Sequence, residues 1–126
     1  MASEFDRLSP QLKQEILQIQ QLQQQAQVMV QQRLQMELQL KETEKAVEEL
    51  SKLKDTAEIY KNIGTLLIKS EKKDVSEELA EKKETLELRI KTFKKQEERI
   101  EGKLKEMQTK IQDALKTQSS AFGSAG

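Results

Sequence analysis

Apolar residues recur at alternating spacings of three and four along the first part of the chain, and this restricts the fold more than any other feature. A helix with one apolar seam is what such a heptad pattern predicts. Ser9 is a suitable cap, Pro10 suits the first helical position, and no further Gly or Pro occurs before Gly64. We therefore predict a first coiled-coil helix over residues 10–54. Its seam, apolar at eleven of fourteen positions, is Phe5, Leu8, Leu12, Glu15, Ile19, Leu22, Ala26, Met29, Arg33, Met36, Leu40, Thr43, Val47 and Leu50.

A second heptad pattern follows in the C-terminal half. Asp74 with Glu77 three residues later resembles a capping box, and it marks the expected start of the helix. We predict a second coiled-coil helix over residues 74–117 and a flexible, small-residue tail over residues 118–126. The seam of this helix is apolar at nine of eleven positions: Leu79, Lys83, Leu86, Ile90, Phe93, Glu97, Ile100, Leu104, Met107, Ile111 and Ala114.

The two predicted helices have similar lengths, which favours pairing within one chain. Charged residues make up 35% of the sequence and aromatic residues 3%, a balance typical of coiled coils and poor for a globular core. A chain reversal at the midpoint would bring matched seams together as an antiparallel two-helix coiled coil. The alternative is a parallel dimer, which would have to bridge the midpoint without a turn.

The midpoint itself, AEIYKNIGTLLIKS at residues 57–70, is rich in β-branched residues around Gly64. We predict a β-hairpin in which Asn62 to Thr65 form a type II turn with Gly64 at its third position. A helix–loop–helix corner is the alternative. A lone hairpin is marginal in water and exposes two unpaired edges, so we expect it to join other copies or relatives in a shared sheet or barrel. The predicted assembly residues are Ile59, Tyr60, Ile63, Gly64, Leu66, Leu67 and Ile68.

Several functional classes find no support in the composition. The 22 basic and 22 acidic residues are intermixed, which disfavours nucleic-acid binding. The sequence has no His and no Cys, and it shows no phosphate-binding loop, so we expect no enzyme activity, no cofactor and no metal. No signal-peptide pattern and no membrane-spanning run is seen, and a cytoplasmic location is expected.

Four segments carry a resemblance to the β-type subunits of prefoldin, and the pattern is closest to the archaeal ones. They are IQQLQQQAQ and MELQLKETEKAVEEL in the first helix, IYKNIGTLLIK in the hairpin and EELAEKKETLELRIKTFKKQEERI in the second helix. The resemblance implies a hexamer of two α-type and four β-type subunits, with the hairpins in a double β-barrel and the coiled coils as tentacles. It also implies an ATP-independent holdase that captures non-native polypeptides and passes them to a group II chaperonin.

In that arrangement both chain ends would lie at the tip of a tentacle, where seam residues lose partners as the helix ends fray. We expect unfolded clients to bind there through Phe5, Leu8, Leu12, Ile16, Ile111, Leu115 and Phe122. Alternatively, these residues are only the last heptads of a stable coil. A structural coiled-coil adaptor, which oligomerises through the hairpin and docks one defined partner, is the rival function, and an RNA-contacting arm is disfavoured by the even charge.

Overall fold

Two long helices flank a short β-hairpin. The structure is a computed structural model that describes the backbone of residues 5–124 and the side chains of residues 5–117. After a 3-10 turn at Phe5–Arg7, the elements are helix α1 (Pro10–Ser51), strands β1 (Ile59–Ile63) and β2 (Leu66–Ser70), and helix α2 (Lys72–Ser124). The predicted mainly helical fold with one antiparallel hairpin is confirmed, and the helix–loop–helix alternative is wrong.

Helix α1 starts where its cap was expected. The Ser9 hydroxyl oxygen accepts a hydrogen bond from the Leu12 amide at 3.2 Å, and the Ser9 carbonyl accepts one from the Lys13 amide at 3.0 Å. The cap therefore satisfies one of the amides that the first helical turn leaves without an intrahelical partner.

The end of α1 lies three residues earlier than residue 54. The amides of Lys52 and Leu53 donate to the carbonyls of Glu49 and Leu50 at 3.3 and 3.1 Å, an i to i−3 pattern that tightens the last turn. The Ser51 hydroxyl also donates to a carbonyl of that turn, at 2.6 Å. The chain then leaves the helix toward β1.

Helix α2 is longer at both ends than the predicted range of 74–117. The Val75 amide donates to the Glu71 carbonyl at 3.1 Å, so the first turn forms ahead of Asp74, and Asp74 lies inside it. At the other end no Gly or Pro occurs between Gly102 and Gly123, and the helix continues to Ser124 instead of ending near residue 117. The side chains of residues 118–126 lie outside the described part of the chain.

The chain divides into two compact units. The terminal unit comprises Met1–Gln31 and Lys95–Gly126, and the hairpin unit comprises Gln32–Lys94. Each unit thus contains one segment of α1 and one segment of α2, and the hairpin unit also contains both strands.

In the hairpin unit the two helical segments run antiparallel. Glu37 pairs with Lys94 at 3.9 Å, whereas Asp55, just past α1, pairs with Lys72 at 3.4 Å. A residue later in the first segment therefore lies beside a residue earlier in the second segment, as expected for an antiparallel pair. The predicted seam is buried at Thr43, Leu50, Leu86 and Ile90, while Val47 is exposed. Burial of a Leu or Ile side chain contributes about 1.5–3 kcal/mol, so these positions hold the pair together.

In the terminal unit the seam is buried at Leu12 and Ile111 and exposed at Phe5 and Ala114. Its other described members are half-buried. The seam residues Ile19 of α1 and Ile111 of α2 line one groove, and the neighbouring Ile16 lines it with them. The heptad prediction therefore identifies the inner face of both helical segments here as well.

The hairpin turn differs from the predicted type. Strand pairing joins Ile63 to Leu66, which leaves a two-residue loop of Gly64 and Thr65. Gly64 has φ +60°, and no described non-glycine residue has a positive φ, so Gly64 occupies the first central position of a type II′ turn. The predicted type II turn with Gly64 at its third position is wrong, because the register places the reversal one residue further along. The prediction that this turn needs a glycine with positive φ is correct.

Candidate assembly and client-binding surfaces

The hairpin presents two faces, which follow from its register. Side chains alternate along each strand, and directly paired residues share a face. The first face carries Ile59, Lys61 and Ile63 of β1 with Leu66, Ile68 and Ser70 of β2. The second face carries Tyr60 and Asn62 of β1 with Leu67 and Lys69 of β2.

The first face is covered only at its base. There Ile59, Lys61 and Ser70 are half-buried, and the Lys61 ammonium donates to the Glu78 carboxylate of α2 at 2.6 Å. Toward the turn, Ile63, Leu66 and Ile68 are exposed. The chain itself therefore partly covers the base of this face and leaves open the apolar end near the turn.

The second face is uncovered along its length. Tyr60, Asn62, Leu67 and Lys69 are all exposed, and Leu67, at 70%, has the highest exposure among the large apolar side chains of the described residues. The Tyr60 hydroxyl lies 3.4 Å from the Glu58 carboxylate, and the Tyr60 side chain is exposed to solvent. Apolar side chains thus stand open on both sides of the hairpin.

Within the described part of the chain, both edges of the sheet are unpaired. The sheet has two strands, with β1 beside β2, so each strand has one side on which its outward backbone groups meet no other strand. Such edges are templates for pairing with another chain. The hairpin therefore combines open edges with open apolar faces, and both features favour association with another chain.

A second lysine joins α2 to the loop before β1. The Lys72 ammonium donates to the Leu53 carbonyl at 2.7 Å and lies 3.4 Å from the Asp55 carboxylate. Together with the bond from Lys61 to Glu78, this contact links the hairpin and its preceding loop to the start of α2. Sequence reasoning missed both lysines, because long-range polar contacts leave no periodic signal in a sequence rich in Lys and Glu.

The predicted client-binding residues differ widely in exposure. Phe5 and Leu115 are exposed, Leu8 and Ile16 are half-buried, and Leu12 and Ile111 are buried within the seam. Phe122, the remaining predicted client-binding residue, belongs to helix α2, but its side chain lies outside the described part of the chain. The terminal unit thus offers two of these side chains, Phe5 and Leu115, to solvent without any rearrangement.

The 3-10 turn positions Phe5. The Leu8 amide donates to the Phe5 carbonyl at 3.2 Å and closes this turn, and the Lys13 ammonium lies 5.7 Å from the centre of the Phe5 ring. A cation at this distance is attracted to the face of an aromatic ring. The contact joins the segment ahead of α1 to the first turn of the helix.

Four exposed leucines among the described helical residues lie outside both the predicted seam and the predicted client-binding set. They are Leu17 in the terminal unit and Leu34, Leu38 and Leu88 in the hairpin unit. The available signal was their position: each is a large apolar residue at a heptad site that should face water. Single exposed leucines are ordinary on protein surfaces, so this signal alone does not identify a site.

Neither a metal-binding cluster nor a membrane-spanning helix occurs among the described residues. No group of three or more His, Cys, Asp or Glu residues among them is placed to hold a metal ion. None of the described helices has a stretch sufficiently long and apolar to cross a membrane.

Known proteins are similar to this chain in sequence and in fold. Residues 13–118 match the family model described as prefoldin subunit. The prefoldin subunit beta of Archaeoglobus fulgidus is 47% identical over 112 residues, covering 89% of this chain and 97% of that protein. The prefoldin subunit beta of Pyrococcus furiosus is 43% identical over 112 residues, covering 89% of this chain and 96% of that protein.

A solved structure agrees with these sequence matches. The crystal structure of the prefoldin beta subunit from Thermococcus strain KS-1 superposes with a TM-score of 0.78 at 42% identity, covering 85% of this chain and 94% of that one. The prefoldin beta2 subunit of the same strain superposes with a TM-score of 0.65 at 27% identity, covering 73% of this chain and 98% of that one. With its two long helices, its single hairpin and these matches over most of its length, the chain belongs to the prefoldin subunit family and is of the beta type.

Proposed function

We propose that this chain is a subunit of an ATP-independent holdase, which assembles through its hairpin and captures non-native polypeptides through its terminal unit. The observation that carries the proposal is the hairpin. Its exposed apolar side chains, at 44–70% of their full exposure, stand beside two unpaired sheet edges. Burying each of them in an assembly would contribute up to about 1.5–3 kcal/mol, which is a strong driving force for association.

Membership of the prefoldin family supports the co-chaperone role and suggests the partners. We propose a hexamer in which four copies of this chain join two α-type subunits, with the hairpins of all six subunits forming a closed β-barrel platform. Closure removes the open edges, which is how barrels avoid uncontrolled pairing. The assembly would operate in the cytoplasm and pass its clients to a group II chaperonin.

Client capture is assigned to the terminal unit. Phe5 and Leu115 are exposed there, and Leu8, Leu12, Ile16, Ile111 and Phe122 complete the proposed set. Each site would bind a client weakly. Several copies in one assembly raise the effective concentration of the remaining sites once the first has bound, so the combined affinity can exceed that of any single site.

Two variants separate assembly from capture. Ile63→Asp with Leu67→Asp places charges on both hairpin faces, and native mass spectrometry with an α-type subunit should then show dissociated chains. Phe5→Ser with Leu115→Ser should leave the assembly mass unchanged and lower the suppression of aggregation of two unrelated unfolding proteins without ATP. Leu88→Ser is the control, since Leu88 is an exposed leucine of the hairpin unit.

Clear outcomes would contradict the proposal. If the Ile63→Asp, Leu67→Asp variant assembled normally, the hairpin would not be the interface between subunits. Binding of only one folded partner, with no suppression of aggregation by the assembled wild-type protein, would favour the adaptor function. Transfer of a bound client to a group II chaperonin is tested by the appearance of refolded client only when the chaperonin and ATP are added.

A further inference from the structure

The terminal unit contains a groove of about 500 Å³ that no charged residue lines. Its lining consists of two residue types: isoleucine at positions 16, 19 and 111, and glutamine at positions 20, 23, 108 and 112. The four glutamines are exposed, Ile16 and Ile19 are half-buried, and Ile111 is buried. The groove therefore has an apolar floor and a rim of primary amides.

This lining is unusual for the chain. Charged residues make up 35% of the sequence, yet none occurs between Glu15 and Arg33. A second groove of the same unit, of about 730 Å³, is lined by Glu15, Lys103, Lys105, Glu106, Lys110 and Asp113 among others. The lack of charge is thus a property of one groove and not of the whole unit.

The chemistry of the lining matches an extended polypeptide backbone. A glutamine amide supplies both donors and an acceptor, as a peptide bond does, and it carries no charge. Amides at the rim can pair with the N–H and C=O groups of a bound chain, while the isoleucines contact its apolar side chains. An Asp, Glu, Lys or Arg in the bound segment would find no opposite charge and would lose hydration there.

We propose that this groove binds extended, uncharged segments of non-native polypeptides through their backbone amides. The inference rests on the proposed function, because it names the class of segment that the terminal unit captures. Ile16 and Ile111 belong both to the groove and to the proposed client-binding set, so the groove continues that surface. Backbone pairing would make binding independent of client sequence and would favour segments that have not folded, because folded proteins pair most of their backbone groups internally.

The test compares two peptides and two pairs of glutamines in the full-length chain. One fluorescein-labelled peptide alternates valine and serine, and the other has the same sequence with alternate backbone amides N-methylated, which removes donors but adds no charge. Gln20→Met with Gln23→Met removes two rim amides and keeps side-chain length. Gln21→Met with Gln24→Met is the matched control, because these exposed glutamines have the same spacing and do not line the groove.

Fluorescence anisotropy should give a Kd about tenfold higher for the N-methylated peptide with the wild-type protein, as expected for the loss of a few hydrogen bonds. The groove variant should bind the unmodified peptide about tenfold more weakly, and N-methylation should then raise the Kd by a smaller factor than it does with the wild-type protein. The control variant should behave as wild type. Circular dichroism on all three proteins checks that the helical content is equal.

Three results would overturn the inference. The first is equal binding of the two peptides by the wild-type protein. The second is an equal loss of peptide affinity in the groove and control variants. The third is a change of oligomer mass in the groove variant alone, which would make the groove an interface between copies. Its failure is distinguishable from failure of the proposed function. If the groove variant still suppresses aggregation as wild type does, the holdase function stands and only the groove is wrong; if the wild-type assembly suppresses none, the holdase function itself is wrong.

Discussion

The ammonium group of Lys72 lies 2.7 Å from the backbone carbonyl oxygen of Leu53, nineteen residues earlier in the chain. The lysine begins α2, and the carbonyl belongs to the loop that leaves α1, so this one bond joins the two places where the helices meet the hairpin. A carbonyl just past a helix end has no intrahelical donor, and a lysine is a suitable partner for it.

Replacing Lys72 by methionine should lower the free energy of unfolding by about 1 kcal/mol, because one charge-assisted hydrogen bond is lost. The nearby carboxylate of Asp55 is almost fully exposed and should add little. Urea unfolding measures the change, and Lys73→Met on the exposed neighbouring residue is the control. Equal stability of the two variants would show that the bond to Leu53 contributes nothing.

Gly64 and Gly102 should respond to alanine in opposite directions. Gly64 has φ +60°, and a Cβ there would meet no atom within 4 Å, so Gly64→Ala is penalised by backbone strain alone, about 1–3 kcal/mol. Gly102 lies inside α2, also with open space around it, and Gly102→Ala should stabilise the chain by up to about 1 kcal/mol. Thermal unfolding of both variants gives the signs, and a Gly64→Ala protein as stable as wild type would contradict the turn described here.

Much of this fold could be predicted because heptad spacing reports directly on which helix face is buried. The hairpin was predictable from the β-branched residues around Gly64, but its turn type was not. Local preference allows a glycine at either central position, and only the pairing of Ile63 with Leu66 decides between them. The bond from Lys72 to Leu53 depends on the path of a loop, which periodicity does not describe. The extra length of α2 at its C-terminal end could not be predicted either, because small residues are compatible with a helix but do not indicate one.

Two leucines of α2 test the seam directly. Leu86 is 6% exposed and Leu88 is 61% exposed, although they are only two residues apart. Leu86→Ala should cost about 2–4 kcal/mol from lost burial and the cavity left behind, whereas Leu88→Ala should change stability by less than about 0.5 kcal/mol. Urea unfolding of both variants at equal protein concentration makes the comparison. Similar costs at the two positions would place Leu88 in a buried contact and contradict the assignment of the seam.

Thr43 occupies a seam position at 4% exposure, and its hydroxyl donates to the Gln39 carbonyl at 2.8 Å. That carbonyl belongs to the preceding turn and already accepts a helical amide, so it does not require the hydroxyl. Thr43→Val removes the buried hydroxyl together with its need for a partner and keeps the branched shape. We expect a gain of up to about 1 kcal/mol. Thr92 is the matched control, because its hydroxyl makes the same kind of bond to Leu88 at 3.0 Å on an exposed face, and Thr92→Val should be nearly neutral. A loss of stability in Thr43→Val would mean that the hydroxyl itself stabilises the seam.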